Sequence, residues 1–286
     1  MKVLITGGAG RLGSEVVRLA AGIGHSVVAF DLPQARWGAV EKIPEVELYK
    51  GDITDPDLVS EACSGVDGVI HLAAILPPGS EANRDLTMRV NLEGTKNVVD
   101  SLGREAGAPL VFASSVSVYG VTVTGKPPLG EDHSLRVHNV YSESKIEAER
   151  LIRGNKVPYV ILRIAPITVV DVIELPETIP YRGDQRVEFV YVEDAAHALL
   201  SSLKLSEARG EAFNVAGGSS WQMTGEEYVG RFYEALGVEV EPNYSEEYTG
   251  VDWYDTRKGL FLGYQRLNFN GFTDRLKALG KELGLR

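Results

Sequence analysis

The sequence predicts an α/β protein built on a doubly wound parallel sheet, and two observations carry that reading. Short apolar runs alternate with amphipathic stretches through the first half of the chain, the pattern of βαβ units covered on both faces. The first such run passes into the first amphipathic stretch through a glycine-rich turn, T-G-G-A-G-R-L-G, from Thr6 to Gly13. In order, residues 2–6 read as the first strand and 11–21 as the helix after it. Residues 25–31 form a second strand and 46–49 a short third. Asp55-Pro56 opens a helix, because an acid caps the free N–H groups and proline suits the first helical position. Residues 66–73 are a strand followed by a long helix over 83–105. Residues 109–115 and 159–165 are further buried strands, with a helix around Tyr141 between them.

The later part is less regular. Residues 188–192 read as a strand, with Asp194 capping a helix over 195–203. Residues 213–216 are a last strand, and Gly217-Gly218-Ser219-Ser220 a loop. Helices follow over 224–236, opened by the T-G-E-E capping pattern, and over 273–283. No repeat or linker separates the parts, so the second domain is expected to interleave with the first. The expected division is 1–164 with 188–216 as one domain, and 165–187 with 217–286 as a small C-terminal substrate domain.

With 286 residues, 44% hydrophobic and 24% charged, the chain can bury a large core. A formal charge of −11 argues against nucleic acid, whose phosphates are met by Lys and Arg. The single cysteine, Cys63, permits no intrachain disulfide and gives no sign of an oxidising compartment. The five histidines show no metal-ligand spacing, so no metal is expected. The apolar run before Gly7 is too short for a signal segment or a membrane span. A cytoplasmic protein without membrane attachment is expected.

Gly7, Gly10 and Gly13 stand where a chain must turn tightly, let backbone approach phosphate, and pack helix on strand. With Arg11 and Leu12 they open a helix whose N-terminal N–H groups suit a pyrophosphate. Asp31 ends the second strand 18 residues past Gly13, near the ~20-residue spacing of the acid that binds an adenosine ribose. A carboxylate there accepts from both ribose hydroxyls and repels a 2′-phosphate, so NAD is favoured over NADP. Arg36, nearby, softens that preference without reversing it.

Tyr141 and Lys145 lie four apart in Y-S-E-S-K, on one helix face. Oxidising an alcohol requires a base beside the hydroxyl, and a phenol with its ordinary pKa near ~10 is a poor one at neutral pH. A lysine ammonium at i+4 and a positive nicotinamide ring would both lower it. F-A-S-S-V-S-V-Y-G supplies hydroxyls to hold the substrate oxygen. By itself Y-x-x-x-K describes a solvated helix face; with the glycine turn and the serines it describes a hydride-transfer site acting on a small molecule.

T-G-G-A-G-R-L-G, G-D-I-T-D, H-L-A-A, V-N-L-E-G-T, F-A-S-S-V-S-V-Y-G and Y-S-E-S-K occur in that order. Their succession resembles the extended short-chain dehydrogenases/reductases, the group of NAD-dependent nucleotide-sugar epimerases and dehydratases, with a Rossmann-type NAD-binding domain. The resemblance makes Tyr141 the base, Lys145 its partner and a holder of the nicotinamide ribose, and Ser115 the substrate-oxygen hydroxyl ahead of Ser114 and Ser117. It places Asp52 and Ile53 at the adenine, runs Leu72, Ala73 and Ala74 along the cofactor, has Asn91 support the site, and keeps Asp194 a structural cap. It implies a homodimer through the helices carrying Asn91 and Tyr141.

The chain also departs from that pattern. Pro166 stands where a substrate asparagine is expected, and about two dozen residues separate it from F-V-Y-V-E-D. Val187 takes the place of one diphosphate-binding arginine, with Arg186 adjacent, and a second falls in the acidic Y-S-E-E-Y. Gln185, Arg186, Arg182 and Trp253 are the residues that could rebuild such a site. The leading expectation is an oxidoreductase of the epimerase/dehydratase type acting on a sugar or nucleotide sugar, as in a UDP-glucose 4-epimerase. The alternative is a simple dehydrogenase or reductase of a smaller sugar, sugar acid or other secondary alcohol. Val116-Ser117 lacks the acid/base pair of a dehydratase. A sensor that binds NAD without turnover would typically lack Tyr141 or Lys145.

Overall fold

The computed structural model describes residues 1–103, 107–171 and 175–285. Among them, seven strands form one sheet: β1 (Lys2–Thr6), β2 (Ser26–Asp31), β3 (Val46–Lys50), β4 (Gly68–His71), β5 (Leu110–Ser115), β6 (Tyr159–Ile164) and β7 (Ala212–Val215). Their order is β7-β6-β5-β4-β1-β2-β3, with every neighbouring pair parallel. The chain winds outward from β1 to β3, then returns past β1 to β4 and continues the other way. That reversal leaves a crevice at the carboxyl ends of β1 and β4, where ligands of such sheets bind.

Helices cover both faces, and the strand residues divide between them by the two-residue period of the pleat. Val3, Ile5, Val27 and Ala29 pack with Val16, Val17 and Ala20 of α1 (Arg11–Gly22). Leu4, Val28 and Phe30 face the other way. They meet Val59 of α2 (Pro56–Cys63), Val98 and Val99 of α3 (Gly94–Leu102), and Ala148 and Ile152 of α4 (Val140–Arg153). On the first face α5 (Val192–Lys204) adds Ala195, Ala196 and Leu199. A third apolar cluster joins Tyr228, Val229 and Phe232 of α6 (Gly225–Leu236) to Phe269, Phe272 and Leu276 of α7 (Phe269–Glu282), around fully buried Trp221.

Helix starts follow their caps. The Asp55 carboxylate accepts from the N–H groups of Asp57 and Leu58 at 3.0 and 3.2 Å. Four expectations need correction. Asp194 does not cap its helix, which begins earlier, at Val192; it lies in the first turn, and its carboxylate accepts from the N–H groups of Arg266 and Leu267. The expected strand over 188–192 is only Val190–Tyr191, because α5 takes over at the next residue. The long helix over 83–105 is broken: Arg84–Met88 is α-helical, Arg89–Glu93 is a π turn, and α3 follows, while residues 104 and 105 lie outside the described set. The last helix begins at Phe269, four residues before the expected 273, because Asn268 caps it by accepting from the Gly271 N–H at 2.9 Å.

Candidate active site

The glycine turn has no room for side chains. A Cβ on Gly13 would lie 1.9 Å from the Gly7 carbonyl oxygen, and one on Gly7 would lie 2.9 Å from the Ala73 nitrogen. Gly7 also has φ +70°, a conformation that glycine adopts freely. No side chain caps α1 at Gly10, so the backbone around Arg11, Leu12 and Gly13 offers N–H donors and the positive end of the helix dipole.

Asp31, at the end of β2, accepts from the Ala9 N–H at 3.0 Å and from the Leu32 N–H at 2.8 Å. Its carboxylate therefore stands against the turn itself. At the end of β3, Asp52 accepts from the N–H and hydroxyl of Thr54, both at 2.9 Å, and the buried Ile53 packs close to Gly94. Bare backbone, a carboxylate and an apolar neighbour together fit the pyrophosphate, ribose and adenine of a dinucleotide.

Leu72 and Ala73 continue from β4, both N–H groups donating to the Thr6 hydroxyl at 3.2 and 3.3 Å, with Ala74 half-buried beyond. The Thr6 hydroxyl lies 2.6 Å from Nδ1 of His71, whose Nε2 lies 3.0 Å from the Thr95 hydroxyl. Thr95 donates to the Asn91 carbonyl at 2.6 Å, so Nε2 must carry the imidazole proton and Nδ1 must accept. Burial, aided by the Lys145 charge, pushes His71 down to about 3, so it stays neutral. The Asn91 side chain grips Ile75, accepting from its N–H at 2.7 Å and donating to its carbonyl at 3.1 Å. It also donates to the Ser144 hydroxyl on α4 at 3.0 Å. One polar chain thus runs from the glycine-bearing strand to the helix of Tyr141.

That helix is held firmly at its start. Asn139 and Ser142 form a capping box, and the Glu81 carboxylate accepts from the N–H groups of Val140 and Tyr141. Lys145 Nζ donates to the Ala113 carbonyl at 2.8 Å and sits 4.7 Å from the Phe112 ring centre and 5.7 Å from that of Tyr141. Ser115 ends β5 and accepts from the Ser117 N–H at 3.2 Å. Ser114 turns away, donating to Glu149 at 2.6 Å, and the Ser117 hydroxyl is buried without a hydrogen-bond partner among the described residues, whereas the Ser115 side chain acts on the Tyr141 phenol.

The electrostatics differ from the sequence expectation. Burial pushes the Tyr141 phenol up to about 12, against a lowering hydrogen-bond influence from Ser115. Burial likewise brings Lys145 down to about 7, with Glu149 opposing. The lysine therefore does not by itself make the phenol a base, since low polarity disfavours the charged form of both groups.

The residues named as possible replacements for diphosphate-binding arginines are engaged elsewhere. Arg182 pairs with Asp184, Arg186 pairs with Asp252, Gln185 binds the backbone of Thr249 and Val251, and the Trp253 indole donates to the Met223 carbonyl at 3.1 Å. Sequence reasoning missed Thr6, Thr95, Glu81 and Asp252. Each has a partner between 24 and 130 residues away in the chain, too far for any spacing to signal it.

The family model described as the NAD dependent epimerase/dehydratase family matches residues 3–167. The chain belongs to that family. Among curated relatives, the 3 beta-hydroxysteroid dehydrogenase/Delta 5→4-isomerase of Mycobacterium tuberculosis is 35% identical over 161 residues, covering 53% of this chain and 42% of that protein. The human decarboxylating sterol-4-alpha-carboxylate 3-dehydrogenase is 29% identical over 248 residues, covering 79% and 62%. The chain thus spans about half the length of these relatives. Among solved structures, the UDP-glucose 4-epimerase of Thermotoga maritima, with UDP-glucose, superposes with a TM-score of 0.84 at 22% identity, covering 99% of both chains. That likeness confirms the Rossmann-type fold. As a member of this NAD-dependent family, the chain uses NAD, and among its described residues no helix is long and apolar enough to cross a membrane.

Proposed function

We propose that this family member is an NAD-dependent oxidoreductase of the epimerase/dehydratase type, moving hydride at a secondary alcohol of a sugar or related compound. The observation that carries it is Tyr141 and Lys145 on one buried helix face, with the Ser115 side chain acting on the Tyr141 phenol. Gly7, Gly10, Arg11, Leu12, Gly13, Asp31, Asp52, Ile53, Leu72, Ala73 and Ala74 would hold the cofactor, with Asn91 as their brace. NAD, when bound, supplies the acceptor for the hydride and a positively charged ring.

Tyr141 takes the hydroxyl proton of the substrate as the carbon–hydrogen electron pair leaves, and a carbonyl forms. The Ser115 hydroxyl donates to the oxygen whose negative charge grows during that step. Lys145, held by the Ala113 carbonyl, would hold the nicotinamide ribose when NAD is bound, and its charge, when protonated, favours the phenolate. In the reverse direction the protonated phenol acts as the acid. Residues 1–164 with 188–216 would serve the cofactor, and 165–187 with 217–286 the substrate.

A second reading, simple oxidation or reduction of a smaller alcohol, is favoured by one observation: Arg182 and Arg186, the arginines that could rebuild a diphosphate site, are already paired with carboxylates. Incubating the protein with NAD and a panel of nucleotide sugars, free sugars and other secondary alcohols tests both. Product without NADH supports epimerisation, stoichiometric NADH supports dehydrogenation, and no conversion of any secondary alcohol counts against the proposal. We further infer a cytoplasmic homodimer through α4 and the helix bearing Asn91. Light scattering should give twice the mass of the chain, and a monomer would remove that inference.

A further inference from the structure

A cleft of about 90 Å³ lies where residues 248–252 pass the loop that follows Ser115; Val123, Asp184, Gln185, Arg186, Tyr248 and Asp252 line it. It flanks the start of α4. A Cβ on Gly250 would come within 2.9 Å of the His138 imidazole, three residues before Tyr141. Gln185, itself buried, fixes the wall of the cleft: its amide donates to the carbonyls of Thr249 and Val251 at 3.0 and 2.8 Å and accepts from the Thr249 N–H at 3.1 Å.

One arginine, Arg186, lines this cleft, a second, Arg182, pairs with the lining residue Asp184, and each is thus already answered by a carboxylate. Arg182 donates to Asp184 at 2.7 and 3.0 Å in an exposed pair, a kind that opens readily in water. Arg186 donates through Nε and Nη2 to Asp252 at 2.6 and 2.9 Å. This second pair is different in kind, because the Asp252 side chain is only 3% exposed. Its carboxylate also accepts from the Thr122 hydroxyl at 2.7 Å and the Trp253 N–H at 2.8 Å. Four donors saturate it, and withdrawing Arg186 would leave a buried charge without its counter-ion. An incoming diphosphate would meet that charge, and a guanidinium fork already filled in the geometry phosphate would need.

We propose that Asp252 is a specificity-determining residue. It supplies from within the chain the anion that Arg186 would otherwise take from a substrate. The site therefore selects a secondary alcohol whose distal part carries no phosphate. This rests on the oxidoreductase reading above and narrows its substrate class.

The test titrates uridine diphosphate calorimetrically onto NAD-saturated protein, as wild type and as Asp252→Asn. The amide keeps the size of the carboxylate while releasing the Arg186 charge. Wild type should show no saturable binding at millimolar UDP, and Asp252→Asn should bind it at least about tenfold more tightly. Adding Arg186→Met to Asp252→Asn should remove the gain. Micromolar UDP binding by wild type would overturn the proposal. So would an Asp252→Asn protein with unchanged thermal transition and NAD affinity but no gain for UDP. If Asp252→Asn does not fold, Asp252→Ser, which keeps an oxygen acceptor beside the Thr122 hydroxyl and the Trp253 N–H while removing the charge, is read by the same criteria. NAD binding and Tyr141-dependent turnover, followed in the same wild-type samples, separate this result from a failure of the oxidoreductase reading.

Discussion

Replacing Tyr141 with Phe is expected to lower kcat by about 10²–10⁴-fold, the usual contribution of a positioned acid/base group, while NAD still binds. The substitution removes one oxygen and keeps the ring, whose packing under Lys145 and in the core is unchanged. The pH profile adds a second signature. Burial holds the phenol up at about 12 in the free protein, so the deprotonated base needed for oxidation grows scarcer as pH falls. Oxidation, which uses the deprotonated phenol, should therefore rise with pH through the neutral range; reduction, which uses the protonated phenol, should not. Steady-state rates with calorimetric NAD binding on both proteins check the prediction. Equal kcat in the Phe variant would assign proton transfer to another group.

The largest expected effect on stability belongs to Glu149. Its carboxylate accepts from Arg163 at 3.0 and 2.8 Å and from Ser114 at 2.6 Å, and the two charged side chains are 1% and 4% exposed. Arg163 reaches on to the Tyr119 hydroxyl and the Glu131 carbonyl, and Tyr119 donates to Asn214, so one network joins α4, β5, β6 and β7. Glu149→Ala leaves a guanidinium that cannot shed its proton buried without its counter-ion, which costs about 3–5 kcal/mol. Urea unfolding should show this as a lower midpoint with an unchanged slope. Replacing both partners, Glu149→Leu with Arg163→Met, should recover most of the loss, since no charge then stays buried. A single variant as stable as wild type would mean that water reaches the network.

The sheet was legible in the sequence because each buried strand announces itself as a short apolar run, and the glycine turn marks the first crossover. Asp31, Ser115, Tyr141 and Lys145 were legible because chemistry ties them to local spacing: a strand end, a strand end again, and a helix face. The π turn at Arg89–Glu93 was not, since no local spacing marks it and the contacts of Asn91 within it, to Ile75 and Ser144, lie 16 and 53 residues away. Asp194 was misplaced because an acid near a helix start looks like a cap whether it binds its own helix or, as here, the segment at Arg266 and Leu267. The phenol's high pKa was missed for a related reason. Sequence spacing shows that Lys145 is near Tyr141, but only packing shows that both are dry. The Arg186–Asp252 pair spans 66 residues, beyond any local rule.

The account turns on direct transfer of hydride from a carbinol carbon to NAD with Tyr141 taking the proton. The most direct measurement uses whichever alcohol of the panel is converted, deuterated at the reacting carbon, and follows the label by mass spectrometry. The account predicts deuterium in the nicotinamide of NADH for a dehydrogenation, or retained in the product for an epimerisation, with both lost in Tyr141→Phe. Deuterium released to solvent, or label transfer undiminished in the Phe variant, would contradict it.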